Sequence, residues 1–122
     1  MKRREIARDK WQAFFESFSG QHGGWLVGVD RFDESLDESI ETRHRDGALR
    51  GVQSDAGTVA LAVDDRVSGH LETESIHDAQ RIVLEQSEDD VDAALEIDGA
   101  RSCIIVRFRH PMPAEMVDGV AR

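Results

Sequence analysis

The chain has 122 residues, 33% of them charged and 39% hydrophobic, with a formal net charge of -10. That size fits one domain with a core of its own, without metals or disulfides to hold it. The negative charge argues against general nucleic-acid binding, which needs clustered Lys and Arg, and against docking on anionic membranes.

Lys2 and Lys10 are the only lysines, so nearly all positive charge is arginine. A GC-rich genome gives this pattern, and so does a salt-rich cytoplasm. Cys103 is the single cysteine and cannot form an intramolecular disulfide, which suits a reducing compartment. The basic start MKRREIARDKW has no apolar run behind it and is not a secretory signal. No stretch approaches the roughly 20 apolar residues of a membrane span. The expected location is the cytoplasm.

Along the chain, Trp11, Phe14, Phe15 and Phe18 fall at i, i+3, i+4 and i+7, one stripe of an amphipathic helix. Asp9 is the expected N-cap, with Gln12 completing a capping box, and Gly20, Gly23 and Gly24 supply the stop. The helix is expected from Asp9 to Ser19. Four large aromatics need an apolar surface to cover them, and the rest of the chain offers strands. These are expected at 25–29, 49–54, 58–63, 71–76, 81–85 and 102–109, with Ala94–Ile97 running into an Asp98-Gly99 hairpin turn. Ser87 to Asp90 reads as a helical turn. Residues 30–41 are acidic, with Phe32, Leu36 and Ile40 every four residues, and fit either a helical turn or an irregular edge. The tail 114–120 could form one helical turn. The fold class is therefore α+β: an N-terminal amphipathic helix packed on an antiparallel, mostly meander β-sheet of about five to seven strands, in a single domain over 1–122.

Four stretches, WQAFFESFSGQHGGWLV, RIVLEQSEDDVDAALEI, VRFR and PAEMVDG, resemble a family of short bacterial proteins classed as a domain of unknown function. The resemblance spans about Trp11 to Gly119 and implies a small standalone domain. It assigns no catalytic residue, so none is carried over.

No phosphate-cradling loop, GxSxG, HExxH or EF-hand loop is present, and no cofactor is expected. The most suggestive local set is His70, Glu72 and Glu74, which share one face if 70–75 is a strand; an imidazole with two carboxylates suits a divalent transition metal. A solvated strand face is the plain alternative. Cys103 lies in an apolar strand and reads as a small buried side chain. Arg43, His44, Arg45 and Arg50 form one basic island. Arg101, Arg107 and Arg109 form another, in which Arg107 and Arg109 share a face that could grip an anion or a partner. The plain alternative pairs them across the sheet with carboxylates such as Glu85 and Glu96. Trp11 and Trp25 read as core, or as an exposed anchor for a partner.

The sequence thus points first to a non-catalytic binding or accessory module, with an unidentified protein partner or a second copy of itself and no nucleic acid or membrane. The alternative is a small metal-binding protein or enzyme using His70, Glu72 and Glu74.

Overall fold

The structure is a computed structural model that describes residues 2–33 and 40–109. A short strand β1 (Lys2–Ile6) leads through a 3-10 turn (Arg8–Lys10) into α1 (Trp11–His22), the one α-helix among the described residues. Seven strands follow: β2 (Leu26–Asp33), β3 (Ile40–Asp55), β4 (Thr58–Asp65), β5 (Leu71–Ile76), β6 (Ala79–Gln86), β7 (Asp92–Gly99) and β8 (Ser102–Phe108). All eight strands join one antiparallel sheet in the order β1-β6-β7-β8-β2-β3-β4-β5. The α+β class holds, but the sheet has eight strands where about five to seven were expected.

The additional strand is β1. Its sequence KRREI exposes four charged residues and buries only Ile6, so no apolar alternation announces it. It is held by pairing with β6, from Lys2↔Gln86 to Ile6↔Ile82. The acidic stretch after Val29 is less irregular than its composition suggests, because β2 continues to Asp33 and β3 begins at Ile40. Leu36 and the tail 114–120 lie outside the described residues.

The meander is present in two runs, β2–β5 and β6–β8. Pairing of β8 with β2 joins the runs. Strands β5 and β6 are consecutive in the chain, with only His77 and Asp78 between them, yet they do not pair. The sheet is coiled enough that β5 comes within 8 Å, Cα to Cα, of β7 and β8.

The helix begins at Trp11 and not at Asp9. Its N-cap residue is Lys10, with no side-chain cap, so the Asp9–Gln12 capping box does not form. At the other end Gly20 is accommodated inside the helix, and the chain turns at Gly23 and Gly24, where Gly24 has φ +87°. Trp11, Phe15, Phe18 and His22 are the buried stripe. Phe15 is 1% exposed and sits with Val27, Leu49, Leu61, Leu95, Ile97 and Val106 in one continuous core. Trp11 is core as well, and its indole N–H donates to the Ile6 carbonyl at 2.9 Å. Arg8 lies over its ring, 4.9 Å from the centroid. Trp25 packs against the core, edge-on to Phe108.

The helix also completes β3. This strand is 16 residues long, but β2 pairs with it only as far as Leu26↔Ala48. Beyond that point Gly24 N–H donates to the Leu49 carbonyl and Leu49 N–H to the Trp25 carbonyl. The Ser19 hydroxyl accepts from Val52 N–H at 2.9 Å and donates to the Val52 carbonyl at 3.0 Å. Gly47 lets β4 come close to β3, since a Cβ there would lie 2.2 Å from a Val63 methyl. The β3–β4 turn is tight; Ala56 (φ 51°) and Gly57 (φ 87°) both lie in the left-handed region that such a hairpin uses. The Asp98-Gly99 pair is instead the end of β7, and Ala100 and Arg101 make the turn. Ser87 to Asp90 form a turn braced by the Ser87 hydroxyl, which accepts from Asp89 and Val91 N–H.

Replacing Ser19 with Ala strands the Val52 N–H and carbonyl together. Ser19→Ala is expected to cost about 1–3 kcal/mol in urea unfolding, by the desolvation of groups left without a partner.

Candidate functional site

A group of ionisable side chains sits on β2 to β5. Glu72 and Glu74 lie opposite Val63 and Leu61 of β4, both fully buried, so the two carboxylates share the core-side face of β5. His44 lies opposite the buried Val29 on β2. It reaches this position because the β2–β3 pairing shifts register on either side of Val29. Asp65 closes β4 opposite Gly47.

His44 is 3% exposed. Its Nδ1 lies 2.6 Å from Asp65 Oδ2. The Asp65 carboxyl is held below its ordinary value, first by the N–H of Ser68, then by His44 and the N–H of Val67. It is therefore an acceptor, Nδ1 carries the hydrogen, and Nε2 faces the other way. That atom is buried without a hydrogen-bond partner, 3.9 Å from Glu74 Oε2. The other oxygen of Glu74 takes Arg31 at 3.5 Å and Arg43 at 3.8 Å. Arg31 also donates to the Ser75 carbonyl and approaches Asp33, while Arg43 pairs with Glu41. Glu72 accepts from the Ser68 hydroxyl at 2.7 Å. Ligand atoms of His44, Asp65 and Glu72 all lie within 4.8 Å of one another.

Of the sequence-derived metal set, the structure brings Glu72 and Glu74 to one face. His70 stands one residue before β5, exposed, and engages its neighbours through its backbone. The histidine that does face the carboxylates is His44, which reads in sequence as part of a basic island. The strongest sequence signal for it is its place within β3, and that strand's start is hidden in an acidic stretch without alternation.

A second group, Glu96, Asp98 and Cys103, lies where β7 and β8 pair at Asp98↔Cys103. Burial, then Asp98, raises the Glu96 carboxyl. Burial also pushes Asp98 upward, but hydrogen bonds from Glu96, Cys103 and Arg81 outweigh it and leave Asp98 lowered. The Cys103 thiol is pushed up to about 12, first by burial and then by Asp98. It is a protonated donor to a carboxylate, not a nucleophile.

A third is the pair His22 and Asp92. The ring of His22 is buried, stacked on Phe108 with centroids 4.9 Å apart and edge-on to Trp25. Its Nδ1 meets the Phe18 carbonyl at 2.8 Å and its Nε2 meets Asp92 Oδ2 at 2.8 Å. Burial pushes the Asp92 carboxyl up, yet bonds from His22 and Gln86 leave it lowered.

Arg107 and Arg109 are both exposed and both engaged. Arg107 pairs with Asp30, and Arg109 approaches Asp46 at 3.5 Å while donating to the Arg45 carbonyl. Glu85 and Glu96 are taken instead by Arg3, with Arg81 also on Glu96. Exposed pairs of this kind stabilise by only about 0–1 kcal/mol each. His110 lies outside the described residues. No helix is long and apolar enough to cross a membrane among the described residues.

Compared with protein families, curated proteins and solved structures, the chain finds no match in any of the three.

Two predictions follow from these environments. Asp92 folds with its carboxyl below the ordinary 3.8, so near that value the unfolded chain binds more protons than the native one. Its contribution is full above that value and lost as pH falls through the lowered one. Asp92→Ala should cost about 1–3 kcal/mol at neutral pH, by leaving His22 Nε2 without its acceptor. The difference from the parent in chemical unfolding should shrink as the pH is taken below 3.8. Cys103, at about 12 against an ordinary 9.0, should hold roughly a thousandfold less thiolate at pH 8 than an unperturbed thiol. Its rate with an alkylating reagent should be slower in proportion, and should rise to the ordinary rate on unfolding.

Proposed function

We propose that the chain is a non-catalytic binding or accessory module that docks through the exposed Leu71–Thr73 end of edge strand β5, with a second copy of itself as the simplest partner. The observation that carries this reading is the contrast between the two ends of the sheet. Edge strand β1 is guarded by Lys2, Arg3, Arg4 and Glu5, the usual protection against edge-to-edge pairing. Edge strand β5 has its acidic residues on the core side, and the alternate positions Leu71, Thr73 and Ser75 are uncharged. Leu71 is 60% exposed, and Val67 in the preceding loop is 96% exposed. These are the two exposed large hydrophobics among the described residues, and both flank this edge. Added strands gain main-chain hydrogen bonds along such an edge, and two copies related by a two-fold axis would each give the other the same surface.

The resemblance of the four quoted stretches to a family of short bacterial domains of unknown function agrees with a standalone accessory protein. A cytoplasmic location, with no nucleic-acid or membrane partner, belongs to the same reading and rests on charge and the single cysteine.

Because the net charge of -10 opposes self-association, pairing should strengthen as salt screens it. Light scattering across a wide concentration range should show a dimer in moderate salt. Leu71→Lys and Thr73→Lys, at exposed positions, should shift it to monomer with the circular dichroism spectrum unchanged. A monomer at every concentration and salt level, or a dimer indifferent to both substitutions, would overturn this reading.

A further inference from the structure

We propose that His44, Glu72 and Glu74 form a site for a divalent transition-metal ion, with Asp65 orienting the histidine. This goes beyond the docking role of the β5 edge and does not depend on it.

A buried imidazole nitrogen that has no partner is costly, because a polar group removed from water needs a hydrogen bond or a cation in its place. His44 Nε2 is in that position, on a side chain 1% exposed. Its other nitrogen already meets Asp65 at 2.6 Å, and Nε2 is left on the side of the ring that lies 3.9 Å from Glu74 Oε2. A carboxylate behind a histidine whose far nitrogen faces outward is the arrangement that supports a metal ligand, since it sets the ring orientation and raises its basicity.

The spacing fits an ion between the two side chains. A transition-metal ion bonds imidazole nitrogen and carboxylate oxygen at about 2.0–2.2 Å each, so ligands on opposite sides of it stand up to about 4.2 Å apart. The 3.9 Å between His44 Nε2 and Glu74 Oε2 is too long for a hydrogen bond and falls within that span. Glu74 divides its oxygens accordingly: Oε1 faces Arg31 and Arg43, and Oε2 faces the histidine. Ligand atoms of Glu72 and Asp65 lie within 4.8 Å of each other and of a His44 ring nitrogen, and Glu72 shares its strand face with Glu74.

Charge points the same way. Arg31 and Arg43 answer Glu74, Asp33 and Glu41. Asp65 and Glu72 have no guanidinium partner among the described residues. The group therefore holds more carboxylates than guanidinium groups around a buried imidazole. One nitrogen with two carboxylates suits a zinc-, cobalt- or manganese-type ion better than calcium or magnesium, which prefer all-oxygen shells.

The test is titration of the whole chain, stripped of metal and without a histidine tag, with zinc and with cobalt, followed by calorimetry and by the cobalt absorption spectrum. About one equivalent should bind and raise the melting temperature. Glu72→Gln should weaken binding at least tenfold, and Asp65→Asn about ten- to hundredfold, as loss of an orienting carboxylate does. His44→Gln should abolish binding. Because His44 is buried, the Glu72→Gln result stands on its own if that variant fails to fold. His70→Ala should bind as the parent does. Absence of binding, or binding unchanged in Glu72→Gln, would overturn the assignment. So would a cobalt spectrum with a thiolate band that is lost in Cys103→Ser, since it would place the ion at Glu96, Asp98 and Cys103.

Discussion

A strand longer than its neighbour leaves backbone hydrogen-bonding groups that something else must satisfy, and the rest of this structure is arranged around that need. β3 outruns β2 at Ala48, with seven residues still to come. The last turn of α1 and the glycine turn after it supply what β2 does not: the hydroxyl of Ser19, the N–H of Gly24 and the carbonyl of Trp25. Helix and sheet are thereby fixed in register by polar bonds, and the aromatic stripe fills the space that this register defines. Burial of the rings adds favourable free energy, because apolar area removed from water is worth about 25 cal/mol per Å². The hydroxyl contributes far less energy but sets where that burial happens.

The two halves of the core differ in chemistry. Around α1 it is aromatic and aliphatic, with one polar insertion at His22 that is matched on both ring nitrogens. Toward β5 the same face of the sheet turns ionic, with Arg31, His44, Asp65, Glu72 and Glu74 standing next to Val29, Leu61 and Val63. Buried charge is expensive unless paired with good geometry. Aliphatic side chains of the same volume are often as stabilising or more so, so such a cluster is weak evidence of stability in itself.

Much of the framework is readable in the residues. The spacing of Trp11, Phe15 and Phe18 gives the helix, the alternation of Val59, Leu61 and Val63 gives β4, and that of Ile104, Val106 and Phe108 gives β8. The hidden parts have physical reasons. β1 is specified by its partner β6 and not by any pattern of its own. The hairpin turn falls at Ala100 because Asp98 is still paired, to Cys103. The candidate site was half legible: parity places Glu72 and Glu74 together, whereas His44 joins them through irregular pairing beside Val29, which no local periodicity encodes. Asp65, within a turn-like Asp-Asp-Arg run, carries no sign that it will orient a ring.

The pairing of Ile6 with Ile82 has a kinetic side. Strand β1 is made before α1 and the other strands, yet its one neighbour in the sheet among the described residues is made some 75 residues later. Non-local contacts of this reach slow folding, because the loop they close must be ordered before they repay it. β2 likewise waits for β8 on one flank. During synthesis α1 meets its dock on β3 as soon as Val52 is made, 33 residues after Ser19, whereas β1 has no pairing partner until β6 follows.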